Sequence, residues 1–294
     1  MIGLKSERRA AWAFLAPALL LITVFFVIPV VSVLVLSFTD YDLYGLADPS
    51  VVRFIGLKNY ADLLRNPIFW TALKNTFYYV LVGGPLSVAV SLGVALLLNS
   101  KMARWKSFFR TAFFAPVVTT LVAVAIVWRY LYHPQYGLID SALGWFGIKP
   151  IDWLGDPRWA MPAMIVLTVW KNFGYNMIVF IAGLQAIPED LYEAAELDGA
   201  TGWNRFRHVT VPMLGPTFLF VGITAMVGAF QFFAEPYVMT QGGPLRSTTS
   251  LVLLMYEEAF RWWRLGPAAS IAVVLFLIML VGALIQLRMR RETA

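Results

Sequence analysis

The 294-residue chain is 60% hydrophobic with 14% charged residues, whereas soluble domains carry roughly 25% charged residues; its mean hydropathy is +0.70. That balance excludes a soluble globular enzyme, and the length accommodates about six membrane helices of ~20 residues with modest loops. With no cysteine and only two histidines, His133 and His208, neither a disulfide framework nor a Cys- or His-built metal centre is expected. The formal charge of +6 lies in short clusters between apolar runs, a pattern that writes membrane topology and not nucleic-acid binding.

In chain order, the first apolar run is Ala11 to Phe38, preceded by Lys5, Arg8 and Arg9. At about 28 residues it far exceeds the ~7 to 15 of a signal h-region and is expected to be a retained helix, with Pro17 and Pro29 tolerated inside it. Further spans are predicted at Leu73 to Leu98, Phe108 to Tyr132, Trp159 to Gly183, Met213 to Ala234 and Pro267 to Leu287. Placing the N-terminus inside puts twelve Lys and Arg in roughly 57 residues of inner segments and ten in roughly 97 residues of outer ones, the asymmetry of a chain with both termini cytoplasmic. The outer loops, Thr39 to Ala72, His133 to Arg158 and Glu235 to Gly266, carry Tyr41, Tyr44, Trp70, Tyr136, Trp145, Trp153, Tyr256, Trp262 and Trp263. Such rings form an interfacial belt or dock an external protein, and neither role excludes the other.

Within the fourth span, Thr168, Lys171, Asn172 and Tyr175 recur at i, i+3, i+4 and i+7, one helical face, with Trp170 and Asn176 at its flanks. Hydroxyl, amine, amide and ring together suit a polyhydroxylated solute; the alternative is that these groups bond neighbouring spans to each other. In the fifth span Gln231, between Phe230 and Phe232, is the corresponding polar candidate, while Gly222 and Gly228 suggest close helix packing. Glu235 is the one carboxylate near a span and is placed just outside its outer end.

Between these two spans lies a segment unlike the rest. Pro188 pre-sets a helix start, Glu189 and Asp190 suit the positive end of its dipole, and Ala194 and Ala195 are strong helix formers. Gly199 supplies a left-handed cap, and Thr201 caps a second short helix running to Val209 before Pro212 and Pro216. A polar connector lying on the membrane is one reading. A surface helix seeking anionic lipid should be basic, however, and this loop is acidic, which favours a protein partner. The phosphate loop GxxxxGK[ST], the elbow GxSxG, the pair HExxH and any intramembrane series of carboxylates are all missing from the sequence, so catalysis and a proton relay are not expected.

Glu193-Ala194-Ala195, Asp198-Gly199-Ala200, Phe206, Val209, Val211-Pro212 and Pro216 resemble, in order and spacing, the Glu-Ala-Ala loop of ABC importer permease subunits. The resemblance extends to Phe54 through Tyr60, Asn75-Thr76, Phe109-Arg110-Thr111 with Pro116, Tyr136 through Ile139, and Gly242-Gly243-Pro244. Together these phrases are similar to the sugar-permease subfamily of carbohydrate-uptake importers, and glycerol-phosphate permeases share them. The resemblance implies an all-α integral membrane protein of six spans with the type-1 importer permease fold. Residues 1–70 would be the N-terminal tail, first span and outer loop, 71–287 the permease core, and 288–294 a cytoplasmic tail. It further implies a bacterial or archaeal cytoplasmic membrane, a second homologous permease, two ATP-binding subunits that hold the ATP, an external or periplasmic solute-binding protein, and contact with membrane lipid. No metal, no catalytic residue and no nucleic acid enter this reading. Glu193, Ala194, Ala195, Asp198 and Gly199 would couple to the ATPase, with Thr168, Lys171, Asn172, Tyr175, Asn176 and Gln231 as candidates for the solute path. A self-contained secondary transporter or channel is the rival function, but it would not need the acidic helix pair.

Overall fold

A computed structural model describes residues 3–100 and 102–291; Lys101, counted above among the inner cations, lies outside the described residues. Helices dominate, and no strand occurs among the described residues. Among the described residues, five helices are long and apolar enough to cross a membrane, and six spans result if one sharply bent pair counts as a single crossing. The chain divides into two compact units, Met1–Pro67 with Leu254–Phe276, and Ile68–Leu253 with Leu277–Ala294.

In the first unit, α1 (Gly3–Ile22) and α2 (Ile28–Leu36) are joined by a π-helical turn, Thr23–Val27. Pro29 explains the wide turn: proline lacks an N–H and its ring meets the carbonyl four residues earlier, and one looser turn makes room for it. The same pattern recurs where Phe206–Thr210 forms a π turn directly before Val211-Pro212. From Ala11 to Leu36 none of the span is buried within the protein, so its apolar surface faces outward. After it, the chain is pinned by the Asn59 side chain, whose Nδ2 donates to the carbonyls of Ser37 and Thr39 at 2.9 and 2.8 Å. Asp40 accepts from the Arg53 backbone N–H at 2.6 Å and from its Nε at 3.1 Å. Helix α3 (Lys58–Arg65) follows.

The second unit holds the structure that matters for function. α4 (Pro67–Asn99) is a straight-through span. The third predicted span is not continuous: α5 (Lys106–Val118) and α6 (Leu121–Leu131) meet at an angle of 100°. Thr119 and Thr120 between them are extended, with ψ of 148° and 135°. Pro116 removes a backbone donor from the last turn, and the Thr119 hydroxyl takes the Pro116 carbonyl at 2.6 Å in competition with the helix. α7 (Pro157–Gln185) starts on Asp156, whose carboxylate accepts from the Arg158 N–H, with Pro157 at its first turn. α7 packs on α5 so closely that a Cβ on Gly174 would lie 2.0 Å from the Phe113 carbonyl oxygen. α9 (Gly215–Phe230) and α10 (Ala234–Met239) are separated by the non-helical Phe232-Phe233, and α11 (Leu265–Arg291) contributes to this unit from Leu277 onward. α8 (Glu189–Leu197) belongs to the loop described below.

Two apolar cores hold this unit. One gathers Tyr79, Ala125, Tyr132, Met161, Met164, Leu167 and Phe232, with Tyr79 and Phe232 stacked at 3.8 Å. The other gathers Ala95, Leu98, Met177, Phe180, Leu184, Leu214 and Val221, with Tyr192 and Val209 packed at its edge. Asn75 and Thr76 tie α4 to the segment after α10: Asn75 Nδ2 donates to the carbonyls of Arg246 and Thr249 at 2.8 and 3.0 Å, and Thr76 Oγ1 accepts from the Leu251 N–H at 3.0 Å.

Candidate functional site: a polar cavity and an exposed helical loop

The middle of the second unit contains a cavity of about 500 Å3, within the range of small-molecule sites. Four of the fourth-span candidates line it, Thr168, Asn172, Tyr175 and Asn176, together with Gln231 from the end of α9. Tyr79 and Ser87 of α4, Thr224 of α9 and Glu235 of α10 complete its polar wall. Gln231 faces the space because the helix ends there: it is the C-cap of α9, with φ −87° and ψ 16°. Gly228, read from the sequence as a packing glycine, lines the cavity instead, and a Cβ there would touch nothing within 4 Å. Gly222 does face a neighbour, with Gln286 Oε1 3.1 Å from the position of its Cβ.

Lys171 is separated from its stripe. At about 100° per residue, Ile165, Thr168, Val169, Asn172, Tyr175 and Asn176 share one arc of α7, and Lys171 falls just beyond its edge. Its Nζ donates to the carbonyls of Pro116 and Val117 at 3.3 and 3.4 Å. Both carbonyls lie in the last turn of α5, where a cation is favoured by the helix dipole, and that of Pro116 also accepts from Thr119. The ammonium therefore serves the broken span, which sequence periodicity alone does not reveal.

Hydropathy ends the fifth span at Ala234 and leaves Glu235 outside it, whereas in the structure Glu235 lines the cavity. The break at Phe232-Phe233 turns the chain and brings the next helix back against the cavity, where Glu235 is 4% exposed and accepts from the Thr168 hydroxyl at 2.9 Å. The signal available in the sequence was that this carboxylate stands alone beside a span.

The acidic loop is built locally. Pro188 precedes α8 with Glu189 and Asp190 in its first turn, favourable against the positive helix end. Gly199 has φ +75°, and the Ala200 N–H returns to the Ala195 carbonyl at 2.9 Å, a left-handed closure as expected from the sequence. The Thr201 hydroxyl accepts from the Asn204 N–H at 3.3 Å, which starts the short helix Gly202–Arg205. Tyr192 anchors the pair from below, its hydroxyl 3.0 Å from Thr210 Oγ1, and Arg205 meets Glu196 at 2.9 Å. Glu193, Ala194, Asp198 and Gly199 are exposed and Ala195 is half-buried, while Leu197, an apolar side chain, is 90% exposed. A ledge of this kind, with acid and apolar groups turned outward, suits contact with another protein.

Residues 16–293 match the family described as the inner membrane component of binding-protein-dependent transport systems. The chain belongs to that family. This permease is 38% identical over 286 residues to the lactose transport system permease protein LacF of Rhizobium radiobacter, covering 96% of this chain and 94% of that one. It is 35% identical over 286 residues to the arabinooligosaccharides transport system permease protein AraP of Bacillus subtilis, covering 97% and 89% of the two. Its fold is shared with a chain of a bacterial ABC transporter that imports the acidic polysaccharide alginate, at a TM-score of 0.80 and 22% identity over 98% of this chain and 96% of that one. The fold expectation drawn from the sequence, an all-α membrane protein with the importer permease architecture, is met by both comparisons.

Proposed function

We propose that the permease forms part of the translocation pathway of an ATP-driven sugar importer, with the cavity as the solute path and α8 as the element that couples it to an ATPase. The observation that carries this reading is the direct covalent continuity of the two sites: α7 lines the cavity along Thr168, Asn172, Tyr175 and Asn176, and after three residues the chain enters the exposed helix bearing Glu193, Ala194 and Ala195. The cavity offers hydroxyls, amides and the Tyr79 and Tyr175 rings, groups that bind sugar hydroxyls and pack on pyranose faces. The relatives named for lactose and arabinooligosaccharide transport support a sugar as cargo. ATP binds in partner subunits, a second permease completes the pathway, and an external solute-binding protein delivers the cargo. Both termini and the acidic loop face the cytoplasm, by the distribution of Lys and Arg.

Glu193 contacts the ATPase and Gly199 sets the turn that aims α8. Reconstituted with its partners, the chain carrying Glu193→Lys or Gly199→Val is expected to lose uptake and ATPase association, with the solute affinity of the binding protein unchanged. Normal uptake together with normal stimulation of ATP hydrolysis in both variants would remove the coupling assignment. Orientation is checked separately with single cysteines, for which the parent chain has no background. An impermeant thiol reagent applied from outside should label Trp145→Cys and spare Glu196→Cys; the reverse pattern would invert the topology.

A further inference from the structure

The polar wall of the cavity is uneven in charge. Among the described residues that line it, Glu235 is the one charged side chain, set beside the hydroxyls of Tyr79 and Thr168. It is buried, and its Oε1 takes the Thr168 hydroxyl at 2.9 Å, so the carboxyl group is held against the wall and not free to swing into bulk water. No Arg or Lys stands among those lining residues. Lys171, the cation of the same span, is turned onto the Pro116 and Val117 carbonyls. The other side chains of the wall, Ser87, Asn172, Asn176, Thr224 and Gln231, are neutral donors and acceptors.

From this arrangement we propose that Glu235 is a specificity-determining residue whose carboxylate makes the solute path accept neutral or cationic polyhydroxylated solutes and turn away anionic ones. The inference rests on the reading of the cavity as the solute path and narrows it: of the two cargo classes that the sequence phrases leave open, sugar and glycerol phosphate, the wall fits the first. A carboxylate oxygen accepts hydrogen bonds from sugar hydroxyls, and each such bond is of the stronger, charge-assisted kind. A phosphate, sulfonate or uronate in the same space would meet a like charge in a partly desolvated site with no cation among its lining residues, Lys171 acting on Glu235 only from outside that wall, and like charges a few ångströms apart repel there far more than in water.

The test reads the charge preference of the cavity without requiring the natural cargo. Thr224→Cys places one thiol on the wall, and Trp145→Cys, on an exposed loop residue, gives the reference reactivity. The assembled complex in detergent is treated with methanethiosulfonate reagents carrying either a trimethylammonium or a sulfonate group, and modification of this chain is followed by mass spectrometry. The cationic reagent is expected to outpace the anionic one at residue 224 by roughly tenfold or more relative to residue 145. Glu235→Gln should collapse that preference and Glu235→Asp should keep it. Should Glu235→Gln fail to assemble, Glu235→Ala, which removes the same charge, decides in its place and should erase the preference at residue 224. A ratio at residue 224 equal to that at residue 145, or one unmoved by the variant that removes the charge, overturns the role of Glu235 while leaving the path reading standing. A thiol at residue 224 that neither reagent reaches overturns the path reading itself, and the inference with it.

Discussion

The acidic loop and the cavity are built on opposite plans. The bonds described for the loop join residues within the loop itself: Ala195 to Ala200, Thr201 to Asn204, Glu196 to Arg205, Tyr192 to Thr210. Its acidic and apolar groups project outward, and a Cβ on Gly199 would meet nothing within 4 Å. The cavity instead draws Tyr79, Thr168, Gln231 and Glu235 from widely separated stretches, and its walls rest on the buried core of Met164, Leu167 and Phe232. On the function proposed above, a change in the loop should abolish contact with a partner while the fold persists, whereas a change behind the cavity should act on fold and transport together.

Six substitutions sharpen that contrast. The largest effect is expected at Gly174, where an added methyl would lie 2.0 Å from the Phe113 carbonyl oxygen. Gly174→Ala must push two helix backbones apart, exceeding the ~1 to 3 kcal/mol of ordinary overpacking, and should abolish folded, detergent-stable protein. Gly228→Ala, on the open side of the cavity, should leave thermal stability unchanged; equal losses in the two would show that the packing of α7 on α5 is not what holds this unit. Next in size, Asn172→Ala and Tyr175→Ala should lower transport several-fold with complex assembly intact, measured on proteoliposomes normalised for assembled complex. Loss of assembly with unchanged transport per complex would return these side chains to a packing role.

Lys171→Met removes the ammonium but keeps most of the volume. The Val117 carbonyl loses a donor while that of Pro116 keeps Thr119, a destabilisation of about 1 to 3 kcal/mol that thermal unfolding can register, with transport less affected than in Asn172→Ala. Transport falling first would instead place Lys171 in the path. The smallest effect belongs to Asp40. Its carboxyl is held below the ordinary value of 3.8, first by the Arg53 backbone N–H and then by the Arg53 guanidinium, against some desolvation. Because the folded-state value is the lower one, the turn gains order above that ordinary value and loses it as pH falls below it. Hydrogen exchange at the Arg53 amide should quicken over that acid range, and in Asp40→Asn the acceleration should be present already at neutral pH.

The same contrast explains what could be read in advance. Pro188, Gly199 and Thr201 act through their own neighbours, so the helix, left-handed turn and cap follow from residue identity. Asn172, Tyr175 and Gln231 were legible because a polar group inside an apolar span has few other uses. Spacing puts Lys171 on the same face, but spacing does not show the neighbour that claims it, and its ammonium lies on the Pro116 and Val117 carbonyls. The bend at Thr119-Thr120 was hidden by the apolar run that continues through Leu131, because threonine is a poor signal of a break and Pro116 alone is tolerated in spans. Glu235 was hidden for a related reason: a helix that stops at Phe230 and resumes at Ala234 reads, in hydropathy, as a helix that has simply ended.

The near-contact between Gly174 and the Phe113 carbonyl also has a mechanical meaning. Where two backbones touch with no side chain between them, neither can slide or rotate without the other, so α5 and α7 behave as one stiff lever. α8 is fastened to the end of that lever through Ala186, Ile187 and Pro188, with Tyr192 and Val209 seated against the core that α7 shares. If α8 is the coupling element proposed above, a push on it would reach the cavity wall as the tilt of this pair, with Thr119 and Thr120, where the span is broken, as the natural hinge.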